Sequence, residues 1–80
     1  MEVEVRLPQW GMGMQEGEVL EWLKKEGERV LEGESIVDVE AAKVNESVAA
    51  PASGTLVRIA ADRGATVPVR GLLAVIETDG

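Results

Sequence analysis

Lys43 is the residue whose type and position could do covalent chemistry. It stands in Glu40-Ala41-Ala42-Lys43-Val44-Asn45, where two strand-like runs meet across a very short connection. A connection that short reads as a β-hairpin. A lysine at its tip offers a free, solvated amine, and the small Ala41 and Ala42 let another protein approach closely. Asp38 and Glu40 are a second candidate, since alternate strand residues face the same way. However, the chain has no histidine and no cysteine. The usual general base, a thiol nucleophile and thiolate metal ligands are therefore all missing. A chain of 80 residues also walls off little dry volume. The residues point away from an enzyme and toward a carrier or binding role.

Two like-patterned halves must position that hairpin. Val3, Val5 and Leu7 alternate with Glu2, Glu4 and Arg6, the period of a half-buried strand. Pro8 ends it, because proline cannot donate to a ladder. Gly11-Met12-Gly13-Met14 forms a loop. The segment 18–26 fits a helical face through Val19, Trp22, Leu23 and Glu26, and equally a strand face through Leu20 and Trp22. Gly17 and Gly27 fence it too tightly for a helix, so a strand is expected. Short apolar runs follow at 30–31, 36–39, 44–48, 56–60, 67–69 and 73–76. About eight short strands, each closed by a turn signal, predict an all-β sandwich or barrel.

The chain also repeats at a shift of 37 residues. Gly17 meets Gly54, Leu20 meets Val57, Trp22 meets Ile59 and Gly27 meets Gly64. Val30 then meets Val67, Val39 meets Ile76 and Glu40 meets Glu77. Such a repeat implies two similar sheets about an approximate two-fold axis. The match fails where Gly33 meets Arg70, and Gly71 is expected to supply the flexible turn residue there. Gly54 is expected at a turn needing positive φ.

Composition sets the remaining bounds. There is no Phe or Tyr, so Trp10 and Trp22 are the only aromatics and the core must be aliphatic. Trp22 is expected to pack on the core or an edge, and Trp10 to be exposed in its loop. The formal net charge is −7, and residues 1–40 carry all of it, with eleven acids against four bases. That charge repels phosphate backbones, so nucleic acid is not an expected partner. No run approaches the roughly 18 apolar residues of a membrane span, and the N-terminus has no signal-peptide pattern. A single domain over residues 1–80 is expected, in the cytoplasm or, in a eukaryote, the mitochondrial matrix.

The segment Glu40-Ala41-Ala42-Lys43-Val44-Asn45 resembles the attachment site of lipoyl domains from 2-oxo acid and acetoin dehydrogenase complexes. The likeness extends to Leu7-Pro8-Gln9-Trp10-Gly11-Met12-Gly13-Met14-Gln15-Glu16-Gly17 and to Glu21-Trp22-Leu23-Lys24-Lys25-Glu26-Gly27-Glu28-Arg29-Val30. Downstream, Ala50-Pro51-Ala52-Ser53-Gly54 and Val67-Pro68-Val69 also fit. The order and spacing of the pieces cover residues 3 to 76. In two places the pattern departs. The residue before the lysine is usually acidic in lipoyl domains and is Ala42 here. Biotin carrier domains usually flank the lysine with methionines, and here the flanks are Ala42 and Val44.

The resemblance implies a flattened barrel of two four-stranded antiparallel sheets, with lipoate joined to Lys43 as an amide by a lipoate ligase or lipoyltransferase. It implies partners as well: a thiamine-diphosphate decarboxylase component, an acyltransferase domain and a dihydrolipoyl dehydrogenase. Glu40, Ala41, Ala42 and Val44, with Gly11 and Met12 of the loop, are the residues expected to be recognised. The cofactor would carry the chemistry, and the domain would supply placement. A biotin carrier domain of a carboxylase, and an unmodified interaction module on the same scaffold, are the alternatives.

Overall fold

The computed structural model describes residues 1–41 and 43–78. Eight strands follow one another: β1 (Glu2–Arg6), β2 (Glu16–Trp22), β3 (Arg29–Val30), β4 (Ser35–Ala41), β5 (Val44–Ala49), β6 (Gly54–Ile59), β7 (Thr66–Pro68) and β8 (Leu72–Thr78). They form two four-stranded sheets, β1-β8-β6-β3 and β5-β4-β2-β7. Neighbouring strands pair antiparallel in both sheets among the described residues. The 37-residue shift carries β2 onto β6, β3 onto β7 and β4 onto β8, so each sheet repeats the strand order of the other.

The core between the sheets is aliphatic, as the composition requires. Leu7, Val19, Val30, Ile36, Val37, Val39, Leu56, Leu73 and Ile76 have at most 1% of their surface exposed. Trp22 and its repeat partner Ile59 are half-buried and pack against this core from its edge. The Trp22 indole Nε1–H donates to the Ala61 carbonyl at 2.8 Å, so the ring contributes apolar area while its polar atom stays paired.

The repeat is kept in detail that simple alternation misses. Ile36 is an extra residue in β4, because Ser35 pairs with Ala49 and Val37 with Val48. Leu73 is the matching extra residue in β8, between Leu72 opposite Arg6 and Ala74 opposite Val5. A bulge lets two consecutive residues turn inward, and Ile36-Val37 and Leu73-Ala74 are both fully buried pairs. Leu20 and Val57 are a second such couple. The bulge at Leu20 breaks the single strand face expected for Leu20 and Trp22.

Gly27 and Gly64 turn with φ of 93° and 89°. Where the repeat mismatches, the backbone does not: Gly33 has φ 87° and Arg70 has φ 70°. The expected flexibility at Gly71 is therefore corrected, since Arg70 itself takes the left-handed turn. Gly71 is small for a different reason. A Cβ there would lie 2.8 Å from the Pro68 carbonyl oxygen. Gly54 likewise has no positive φ. A Cβ at Gly54 would collide with the Glu77 carbonyl oxygen and lie 2.8 Å from its carbon.

The connection leading into β4 is locked by carboxylates. The Leu31 N–H donates to Glu34 Oε1 at 3.1 Å, and Lys24 Nζ lies 3.3 Å from Glu34 Oε2. These contacts hold the Glu34 carboxyl below the usual carboxylate range, the backbone hydrogen bond contributing most. A depressed folded-state value stabilises the fold above the unfolded pKa of about 4.3. That contribution is lost as pH falls through the folded value. Glu34→Gln should accordingly flatten the acid limb of a stability-against-pH curve, measured by urea unfolding between neutral and acid pH. A parallel, undiminished acid slope in the variant would contradict this.

Candidate functional site

β4 and β5 form the hairpin that carries the lysine, and their ladder runs from Ser35 opposite Ala49 to Ala41 opposite Val44. The connection closed by that last pair is two residues long, and Lys43 is its second residue. Two-residue hairpin loops favour positive φ, usually supplied by Asn-Gly or Asp-Gly. Lys43 adopts φ 68°. A left-handed conformation costs a non-glycine residue about 1–2 kcal/mol, so the turn is not optimised for stability at this position. Lys43 is exposed, and no ion pair or hydrogen bond holds its amine among the described residues. Lys24, by contrast, is paired with Glu28 and Glu34.

The two flanks of the hairpin differ in chemistry. On one side, Lys43 shares an open depression of about 280 Å³ with Glu16, Glu18, Glu40 and Thr66. The register places Glu18 directly opposite Glu40 and Glu21 opposite Asp38. Like charges in such pairs destabilise a sheet by roughly 0.2–1 kcal/mol. On the other side, Trp10, Gly11, Met12 and Met14 meet Ala41, Val44 and Glu46 around a groove of about 170 Å³. Three contacts shape the loop that walls it. The Trp10 N–H points to Met14 Sδ at 3.4 Å, the Met14 N–H donates to the Gly11 carbonyl at 3.2 Å, and Gln9 Nε2 donates to the same carbonyl at 3.2 Å.

The expected residues divide accordingly. Glu40 and Ala41 end β4 beside the lysine, Val44 begins β5, and Gly11 and Met12 approach from the loop. Ala42 lies outside the described residues. Asp38 accepts a hydrogen bond from the Ser47 hydroxyl at 2.7 Å, which ties β4 to β5. Glu16, Glu18 and Thr66 are not among the residues expected at the site, whereas Met14 belongs to the expected loop. Glu16 and Glu18 alternate about Gly17, a strand signal, but nothing local says that β2 lies next to β4. Met1 and Thr78 lie away from the lysine. The Thr78 N–H donates to the Met1 carbonyl at 2.8 Å, Thr78 pairs with Gly54, and Gly33 bonds to Ala50 where β4 begins. These bonds put Met1 and Thr78 at the end of the molecule opposite Lys43.

The chain is similar in sequence and fold to known proteins. The Biotin_lipoyl family, described as biotin-requiring enzyme, matches residues 3–76. The chain is 47% identical over 70 residues to the dihydrolipoyllysine-residue acetyltransferase component of the acetoin cleaving system of Pseudomonas putida, covering 88% of this chain and 19% of that protein. It is 46% identical over 72 residues to the corresponding component of the pyruvate dehydrogenase complex of Mycobacterium bovis, covering 90% and 13%. The chain thus spans less than a fifth of the length of these relatives. Among solved structures, the lipoyl domain of the 2-oxoglutarate dehydrogenase complex from Azotobacter vinelandii is 35% identical with a TM-score of 0.79, covering 98% of this chain and 99% of that one. A single-chain, multi-domain long-chain acyl-CoA carboxylase is 26% identical with a TM-score of 0.81, covering 99% and 7%. With a family match across residues 3–76 and a whole-length likeness to a lipoyl domain, the chain belongs to the biotinyl/lipoyl attachment-domain family.

Proposed function

We propose that this chain is a lipoyl carrier domain of an acetoin- or pyruvate-type dehydrogenase complex, with Lys43 Nζ as the point of attachment. The observation that carries the reading is the lysine itself. It sits in a left-handed conformation at the tip of a two-residue hairpin, exposed and unpaired among the described residues, where glycine or asparagine would be more stable. Strain kept at one residue points to a role for that residue's chemistry. Attachment joins the lysine amine to the carboxyl of lipoate as an amide, through a lipoate ligase or lipoyltransferase. When bound, lipoate supplies a redox-active dithiolane that carries acyl groups. The chain's own contribution is placement: a stiff ladder under the lysine, an acidic flank and an apolar flank for partners to read.

The names of the relatives, which are those of acetyltransferase components, support a set of complex partners. A thiamine-diphosphate decarboxylase component loads the domain, an acyltransferase domain unloads it, and a dihydrolipoyl dehydrogenase reoxidises the dithiol. Tethering raises the effective concentration of the arm at each site. The test is acyl selectivity. The lipoylated domain, mixed with the decarboxylase of an acetoin or pyruvate complex and its substrate, should gain an acetyl increment by mass spectrometry. Acylation only by a 2-oxoglutarate decarboxylase, as a succinyl increment, would overturn the assignment to an acetyl-transferring complex. A biotinyl increment on Lys43 under biotin ligase, with none under lipoate ligase, would overturn the choice of lipoate.

A further inference from the structure

We propose that the acyl arm on Lys43 does not hang free in water, but lies back into the groove between the Trp10–Met14 loop and the start of β5. The inference rests on the reading of Lys43 as the lipoylated residue. The groove opens beside the attachment point, because Ala41 and Val44, which flank the lysine connection, are two of its walls. Its other walls are Trp10, Met12 and Met14, with Glu46 at the rim.

The apolar lining is exposed to a degree the fold itself does not need. Met12 is 102% exposed, Val44 52% and Trp10 39%. Met14 is 8% exposed and anchors the loop in the core. The loop is held in shape by the Trp10 N–H to Met14 contact and the two bonds to the Gly11 carbonyl. The wall is therefore in place before any ligand arrives.

Chemistry then selects the side. Acylation removes the lysine charge, and with it the attraction toward Glu16, Glu18 and Glu40 in the acidic depression. The arm that remains is a saturated chain ending in a dithiolane, and it matches the apolar flank instead. Sulfur packs favourably against an aromatic edge, which Trp10 supplies. The groove volume of about 170 Å³ equals that of about six liquid waters at about 30 Å³ each. That space suits the ring and part of its chain, with the rest spanning back to Lys43. A short tether supplies the arm at about millimolar effective concentration, so weak affinity suffices, and a visiting partner can draw the arm out.

The test uses the domain co-expressed with lipoate ligase, isotope-labelled, and checked by intact mass and peptide mapping before any spectrum is taken. Nuclear Overhauser effects from arm methylene and ring protons to the Trp10 indole, the Met12 methyl and the Val44 methyls are expected. They should weaken in Met12→Ser, whose side chain is fully exposed and carries no fold contact. A Lys43-linked lipoyl group with none of these effects, and arm resonances as sharp as those of free lipoamide, would overturn the groove and leave the attachment standing. Absence of any increment on Lys43 would overturn both.

Discussion

A single methyl group added at Gly54 should cost the domain a large share of its stability. An ideal Cβ at this position collides with the backbone carbonyl oxygen of Glu77, with the Thr78 Cα 2.9 Å away. Both belong to β8, the strand that β6 pairs with along its length. Backbone in the middle of a sheet cannot rotate aside as a side chain can. Overpacking of a core commonly costs about 1–3 kcal/mol and sometimes more, and this clash is against main chain. An 80-residue domain has about 4–12 kcal/mol to lose at typical per-residue values. Gly54→Ala should therefore lower stability by about 3 kcal/mol or more. Gly17→Ala is the internal control. Its Cβ would meet Val39 Cγ1 at 2.7 Å and Leu7 Cδ2 at 3.3 Å, with the Glu40 carbonyl oxygen only at 3.4 Å, so its closest clash is with buried side chains rather than main chain and a smaller cost of about 1–3 kcal/mol is expected. Urea unfolding of the two variants checks the order. Equal midpoints would show that β6 and β8 can separate at no cost.

Lys43→Arg has the opposite profile. The guanidinium forms no amide with lipoate under ligase conditions, so modification and acyl carriage should fall to background. The fold should not notice. Lys43 is exposed and makes no ion pair among the described residues, and arginine faces the same left-handed backbone as lysine. The unfolding midpoint should stay within about 0.5 kcal/mol of wild type, as is usual for surface changes. A variant that still supports acyl transfer would remove Lys43 from the site. A variant that is inactive because it is unfolded would show the loss in the same denaturation curve.

Much of the fold was legible because the repeat is enforced by sterics. Gly17 and Gly54 recur because each lies against the neighbouring strand, and Gly27 and Gly64 because each turns with positive φ. Alternating apolar residues located the strands, and the lack of Phe and Tyr implied an aliphatic core. The bulges at Ile36, Leu73, Leu20 and Val57 were not legible, because an extra residue in a strand leaves a plain apolar run in the sequence. Arg70 was misleading for a related reason. Left-handed backbone normally announces itself by glycine or asparagine, and here an arginine is held there by the Arg70 N–H to Leu7 carbonyl bond at 2.8 Å. At the site, the hairpin and Lys43 could be read locally. Its acidic flank could not, since Glu16, Glu18 and Thr66 reach the lysine only through the β2–β4 and β2–β7 pairings.

Whether Lys43 carries lipoate is decided by intact mass with peptide mapping after co-expression with a lipoate ligase. One lipoyl increment is expected, confined to the peptide containing Lys43, with the peptide containing Lys24 and Lys25 unmodified. An increment on Lys24 or Lys25, a biotinyl group in its place, or an unmodified chain with both ligases would contradict it.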